Sequence, residues 1–274
     1  MSDSRTSSLL RQALVPPNAV TLTSLAIALV AMWKLPSAVW PTWSVIGCIV
    51  LDVMDGRIAR MSNRPNALGA QLDSLVDVVA FGALPALLVL HHAASTAWML
   101  HVPTAILFIA CAALRLARFN AKTTQAPQRF FTGLPTPVAA GLVASVILVL
   151  QRSDQAGHAS GPLSGGVICL IAGLAAWLMV TKLPFPSFKT NGGGAASTTP
   201  KRRTLIAIVA LMFIGLFFHP SLTLLLTFAV YAASGWVIRR KMNQFMDRLA
   251  YAKAAASGTG RIGCPAATEH LDRP

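Results

Sequence analysis

Four aspartates in the window 52–77 have the residue type and the spacing to act on a charged substrate. They are four of only nine acidic residues in the chain, and strongly apolar runs flank them on both sides. Asp52 and Asp55 are three residues apart, so they share one helical face. Asp73 and Asp77 are four apart and share another. Because ionised side chains near a membrane core cost roughly 2.5–3.5 kcal/mol each, this window predicts a cage for a divalent cation such as Mg²⁺ or Mn²⁺.

The elements that position these aspartates are predicted to be membrane helices. Hydrophobic residues make up 54% of the chain and charged residues 12%, and the mean hydropathy is +0.60. These values exclude an ordinary soluble domain and predict an all-α, polytopic membrane bundle. About eight spans are predicted: 18–34, 37–54, 70–91, 95–117, 135–151, 162–181, 204–219 and 221–238.

The distribution of Lys and Arg predicts how these spans are oriented. With a cytoplasmic N-terminus, 21 of the 23 basic residues fall on the cytoplasmic side, and only Lys34 and Arg152 fall opposite. The net charge of +14 is then explained by topology and by affinity for anionic lipid, without a nucleic-acid partner. Both termini and the four aspartates are therefore predicted to be cytoplasmic.

The spacing of the window also resembles a family signature. It reads Asp52-x2-Asp55-Gly56-x2-Ala59-Arg60-x8-Gly69-x3-Asp73-x3-Asp77. At every specified position this is similar to the signature of the CDP-alcohol phosphatidyltransferases. The resemblance implies a six-helix core around a polar cavity open to the cytoplasm, a CDP-linked lipid donor, an alcohol acceptor and release of CMP. It also suggests a homodimer in the bacterial cytoplasmic membrane.

By the family pattern, the four aspartates have two roles. The resemblance implies that Asp52, Asp55 and Asp73 are metal ligands for Mg²⁺ or Mn²⁺. It implies that Asp77, the last residue of the motif, is the base that takes the proton from the acceptor hydroxyl.

The other motif residues are predicted to bind the CDP group. Gly56 and Gly69 have no side chain and Ala59 has a small one, so a nucleotide can approach the backbone closely. Arg60 suits a diphosphate, because its guanidinium donates paired hydrogen bonds to oxyanions. Close helix packing is the alternative for the glycines, and anchoring at the cytoplasmic interface is the alternative for Arg60.

Later segments resemble the serine-using branch of this family. LRLARFN at 114–120, FFTGLPTPVAAG at 130–141 and PFPSFK at 184–189 fit that branch, as does the count of eight spans. PNAVT at 17–21 fits the start of the family pattern, and the resemblance covers roughly residues 16–240. It implies that CDP-diacylglycerol and L-serine are the substrates.

Serine brings a carboxylate that must be neutralised in a low-dielectric cavity. Arg115, Arg118 and Lys189 lie at predicted cytoplasmic span ends, level with the aspartates, and Asn120 can add hydrogen bonds. These four residues are predicted to bind the acceptor. Anchoring by the positive-inside rule is the alternative for each of the three cations.

Two other functions remain open on the sequence. The same chemistry can use glycerol-3-phosphate, inositol phosphate or choline as the acceptor. An ion-coupled transporter is a different class, but it predicts acidic residues near the midpoints of several spans. Here the four aspartates cluster within one helical hairpin, which favours chemistry on a cytoplasmic substrate.

The chain is predicted to have one catalytic core with peripheral segments. Residues 16–189 form the core, and residues 204–240 add two transmembrane helices. Residues 1–15 form a cytoplasmic segment that can make a short interfacial helix. Residues 190–203 are a flexible linker, and residues 241–274 are a cytoplasmic tail with a disordered end.

Overall fold

The structure is a computed structural model that describes most of the predicted core. The predicted interfacial helix in 1–15, the linker at 190–203, Lys189 and most of the seventh span lie outside the described residues. The rest is almost entirely helical, which confirms the predicted all-α bundle. The described residues are 16–37, 39–61, 67–92, 98–122, 130–155, 163–181, 183–186, 212 and 214–256.

Eight longer α-helices occur in the described part of the chain. A short 3₁₀ helix, Leu35–Ser37, joins the first two, and a π-helix, Val78–Ala83, joins α3 to α4. Two three-residue strands, β1 (Phe130–Thr132) and β2 (Pro184–Pro186), also occur in the described ranges. The helices are α1 (Pro16–Trp33), α2 (Val39–Met61), α3 (Ala67–Asp77), α4 (Leu84–His91), α5 (Trp98–Lys122), α6 (Thr136–Gln155), α7 (Leu163–Val180) and α8 (Pro220–Ala256).

Several of these helices are long and apolar enough to cross a membrane, so the protein is an integral membrane protein. Two shorter apolar helices, Asn18–Trp33 and Ser164–Val180, match the first and sixth predicted spans. α8 continues to Ala256, well beyond the predicted end of its span at 238. The four long segments found in the described ranges are Gly69–His91, Trp98–Ala121, Thr136–Gln155 and Pro220–Arg240.

Helix α6 lies at the centre of the bundle and packs against α2, α7 and α8. Its buried face is rich in small residues, including Ala139, Ala140 and Ala144. Small side chains let helix backbones approach closely, which matters in lipid because apolar burial alone does not drive helices together. Gly141 belongs to the same helix, and a Cβ there would overlap the ring of Phe228 on α8. α8 is therefore seated directly on α6.

A small two-stranded sheet, made of β1 and β2, lies at the aspartate-bearing end of the bundle together with the turn that follows β1. The strands pair antiparallel and join the start of α6 to the segment after α7. Gly133 has a φ of 88°, and its N–H donates to the Leu183 carbonyl at 2.9 Å. Leu134 N–H donates to the Leu178 carbonyl at 3.1 Å. A Cβ at Gly133 would overlap the Met179 carbonyl oxygen, so this turn requires glycine.

Candidate active site

Three aspartates from two consecutive helices converge at one end of the bundle. Asp52 and Asp55 come from α2 and Asp73 comes from α3. One carboxylate oxygen from each lies within 4.8 Å of the others. Asp55 is buried, and the other two are partly buried. We call these three residues the acidic group.

The acidic group has the chemistry of a divalent-cation site. All three donors are hard carboxylate oxygens, which suit Mg²⁺ and Mn²⁺ better than softer metals. Three carboxylates at this spacing repel one another where water is partly excluded, so a bound cation would relieve the repulsion. The residues present therefore fit a divalent metal, and they would hold it through Asp52, Asp55 and Asp73.

A buried hydroxyl on α1 fixes one member of the acidic group. Thr21 Oγ1 donates a hydrogen bond to Asp55 Oδ2 at 3.0 Å. Thr21 belongs to the family-like segment PNAVT at 17–21, and the sequence alone predicts no role for it. A signal for that role exists in the sequence, because Asn18, Thr21 and Ser24 recur every three residues along an apolar helix. All three are buried, so α1 turns a polar stripe toward the bundle.

Asp77 lies at the end of α3, one helical turn beyond Asp73. It is not one of the three residues whose oxygens cluster within 4.8 Å, but it interacts electrostatically with each of them. It also interacts with Arg115 on α5. The π-helix Val78–Ala83 begins directly after it. π-Helical turns are frequent at functional sites, and no periodic signal in the sequence predicts this one.

Arg115 is a predicted acceptor-binding residue that interacts with the aspartates. It is partly buried, and its guanidinium donates a hydrogen bond to Thr136 Oγ1 at the start of α6. It interacts electrostatically with Asp77, with Tyr231 on α8 and with Asp52. Its Nε atom is buried and has no hydrogen-bond partner among the residues that the structure describes. Arg115 therefore retains a cationic donor for an anion.

Two of the remaining predicted acceptor residues, Arg118 and Asn120, have partners within the protein. Arg118 donates to the carbonyl oxygen of Val180 at 3.0 Å, at the end of α7. Asn120 Nδ2 donates to Ser74 Oγ at 3.0 Å, which ties α5 to α3. Both bonds hold helix ends together, and acceptor binding by these two residues stays a prediction. Lys189 lies outside the described residues.

The residues predicted to bind CDP lie between Asp55 and Asp73 in the chain. Gly56 follows Asp55 directly, and a Cβ there would meet nothing within 4 Å. Among the residues that the structure describes, none fills the space beside Gly56. Ala59 and Arg60 lie in the last turn of α2, and Gly69 lies in the first turn of α3. Contact of these residues with a nucleotide stays a prediction.

A family model described as CDP-alcohol phosphatidyltransferase matches residues 14–185. The chain belongs to this family. This CDP-alcohol phosphatidyltransferase is accordingly a membrane-embedded phosphotransferase of phospholipid biosynthesis. The match runs from α1 to β2 and contains all four aspartates and Arg115, whereas α8 lies beyond it.

Curated relatives of this phosphatidyltransferase carry the name CDP-diacylglycerol–serine O-phosphatidyltransferase. One from Helicobacter pylori (strain J99) is 33% identical over 175 residues, which is 63% of this chain and 72% of the relative. One from Mycobacterium tuberculosis (strain H37Rv) is 30% identical over 172 residues, covering 58% of this chain and 59% of the relative. One from Methanocaldococcus jannaschii is 32% identical over 140 residues, covering 51% and 60%.

Proposed function

We propose that this enzyme transfers the phosphatidyl group of CDP-diacylglycerol to the hydroxyl of L-serine and releases CMP. The observation that carries the proposal is the meeting of the acidic group, Asp77 and Arg115 at one end of the bundle. The acidic group suits the diphosphate with its cation, and Asp77 suits the proton of a hydroxyl. Arg115 suits a carboxylate. The names of the relatives support the same donor and acceptor.

Asp77 is proposed to act as the general base. Its carboxylate would accept the proton of the serine hydroxyl as that oxygen bonds to the phosphorus that carries diacylglycerol. The bond from this phosphorus to the bridging oxygen breaks, and CMP leaves with that oxygen.

The acidic group is proposed to hold Mg²⁺ or Mn²⁺ at the diphosphate. A divalent cation supplies neutralisation of the charge that builds up on the CMP leaving group. Asp52, Asp55 and Asp73 hold their oxygens close together, and the Thr21 hydroxyl fixes the orientation of Asp55. Gly56 and its open surroundings leave room for the nucleotide beside these carboxylates.

Arg115 is proposed to bind the carboxylate of serine. Its side chain is already oriented by Thr136, so little freedom is lost when the acceptor binds. Choline has no anionic group to occupy a buried guanidinium, and the phosphate of glycerol-3-phosphate carries more charge than one arginine neutralises. A single buried arginine therefore fits serine better than either of these acceptors.

The aspartate-bearing end of the bundle is proposed to face the cytoplasm of a bacterial cell, with both termini on that side. The strong bias of Lys and Arg toward the loops at this end supports that orientation. We also propose a homodimer. Only 11% of the apolar segment Pro220–Arg240 is buried, so this helix has an apolar face available for lipid or for a second copy.

An acceptor panel tests the proposed function. Purified protein in lipid nanodiscs would receive labelled CDP-diacylglycerol, a divalent cation and one acceptor at a time, with CMP release as the readout. L-Serine should drive release far faster than glycerol-3-phosphate, inositol phosphate or choline. Equal or faster turnover with any of these three would overturn the assignment of serine.

A further inference from the structure

A polar cleft of about 220 Å³ lies between the start of α2, the last turns of α6 and the start of α8. Ser221 in this cleft is buried, whereas Arg152 and Gln155 are exposed, so the cleft reaches from the surface into the bundle. Its lining includes four polar side chains and two apolar ones: Gln151, Arg152, Gln155, Ser221, Val39 and Trp43.

The cleft is at the end of the bundle opposite to the aspartates. On α2, Trp43 precedes Asp55 by twelve residues, or about 18 Å of helix. On α6, Arg152 follows Thr136 by sixteen residues, or about 24 Å. The hydrocarbon core of a bilayer is about 30 Å thick, so these spacings place the cleft near the membrane interface opposite to the acidic group.

The charge in the cleft comes from Arg152. With Lys34, it is one of the two basic residues predicted to lie on this side of the membrane. Lys34 lies over the ring of Trp33 and does not line the cleft. Asp154 is two residues beyond Arg152 and does not line it either, since residues at this spacing face different ways on a helix. In the part of the chain that the structure describes, the lining of this cleft is therefore cationic.

The groups beside Arg152 suit a phosphate at the membrane surface. A guanidinium matches the geometry of a phosphate and can donate two hydrogen bonds to it. Ser221 is in the first turn of α8, where the helix dipole favours an anion. Trp43 is partly exposed, and tryptophan is enriched at membrane interfaces. The volume is below the roughly 300–1,000 Å³ of ordinary ligand pockets, so the cleft fits a headgroup and not a whole lipid.

We infer that this cleft binds the phosphodiester of a membrane phospholipid, with Arg152 paired to the phosphate and Trp43 against the adjoining apolar part of the lipid. This lipid is distinct from the substrate, because the cleft and the acidic group are at opposite ends of α2. It contacts α2, α6 and α8 together, and α8 lies beyond the region matched by the family model. A ligand that binds only the folded bundle stabilises it, so occupancy of the cleft raises the temperature of unfolding.

A thermal unfolding titration tests the inference. The full chain, purified in a maltoside detergent, would be titrated with dihexanoyl phosphatidylglycerol, and each variant's midpoint would be compared with its own midpoint without lipid. The lipid should stabilise the wild type, and Arg152→Gln should weaken the apparent affinity roughly tenfold, the lower end of the range for a hydrogen bond to a charged group. Lys34→Gln is the matched control. It removes the other cation predicted on this side, and its affinity should equal that of the wild type.

Two further ligands identify what the cleft recognises. Dihexanoylglycerol has the same chains without a phosphate, and inorganic phosphate has no chains, so both should bind much more weakly than the lipid. Equal binding of either one would overturn the assignment of a phospholipid. So would equal affinity of Arg152→Gln and the wild type, or an equal loss in Lys34→Gln, which would indicate general surface charge. The KM for CDP-diacylglycerol should be the same in Arg152→Gln and the wild type, and a tenfold rise would instead place the titrated lipid at the acidic group.

Discussion

The acidic group and the residues around Arg115 are assembled in different ways. Asp52, Asp55 and Asp73 come from two helices that follow each other in the chain. The Arg115 surroundings combine α5 and α6, which also follow each other in the chain, with α8, which lies far from them in sequence. A short helical hairpin therefore suffices to bring the carboxylates together, whereas the cationic side also depends on how the distant helix α8 packs.

This difference suggests that diphosphate chemistry and acceptor choice depend on separate parts of the fold. Under the proposed function, the residues for diphosphate chemistry are encoded by one local motif. The acceptor is then selected by groups that helix packing brings together around Arg115. Changes in the acidic group should thus affect all acceptors equally, whereas changes near Arg115 should affect serine selectively.

Removing one acidic ligand should have the largest effect. Asp52→Asn should reduce CMP release to background, a loss of about 10³-fold or more, because the bound cation contributes several kcal/mol to the reaction. The remaining carboxylates would hold the cation less tightly, so metal binding measured by calorimetry should weaken as well.

Asp154→Asn is the matched control. Asp154 is exposed at the far end of α6, and its loss should leave turnover unchanged. Near-normal activity of the wild-type enzyme in EDTA would contradict the metal role.

The same difference explains how much the sequence could predict. The spacing of the aspartates specifies a helical hairpin, and apolar segments such as Gly69–His91 agree with a predicted span, 70–91. These features depend on local periodicity. The contact of Arg118 with Val180 and the electrostatic interaction of Tyr231 with Arg115 join residues that are distant in the chain, and no local pattern encodes them. The π-helix after Asp77 also has no periodic signal, since it is a local widening inside an apolar run.

Asp77→Asn should separate the base from the acidic group. We expect a loss of roughly 10²–10⁴ in rate that persists at saturating serine, because the defect lies in proton transfer. The KM for CDP-diacylglycerol should change little. Activity measured against increasing Mg²⁺ or Mn²⁺ should reach a low, flat plateau. Substantial recovery at high metal concentration would instead make Asp77 a fourth metal ligand.

Loss of the hydroxyl that orients Asp55 should have the smallest effect of the three. Thr21→Val keeps the size and branching of the side chain but removes the buried hydrogen bond to Asp55 Oδ2. Groups that orient metal ligands typically contribute 10–100-fold to metal affinity, and we expect about 10-fold here because Asp52 and Asp73 remain in place. The metal concentration that gives half-maximal CMP release should rise by this factor. At saturating metal, the rate of the variant should be close to that of the wild type.

A neighbouring threonine provides the control for that measurement. Thr23 is exposed on the same helix, and its hydroxyl bonds to the Ala19 carbonyl at 2.8 Å. Thr23→Val therefore removes the same kind of hydroxyl two residues further along α1 without removing a contact to the acidic group. The metal dependence of this variant should match that of the wild type. Equal shifts in both variants would mean that α1 acts only through packing. If Thr21→Val changed both the metal concentration for half-maximal release and the KM for serine, the acidic group and the Arg115 surroundings would be coupled. That result would contradict the separate roles inferred for these two regions.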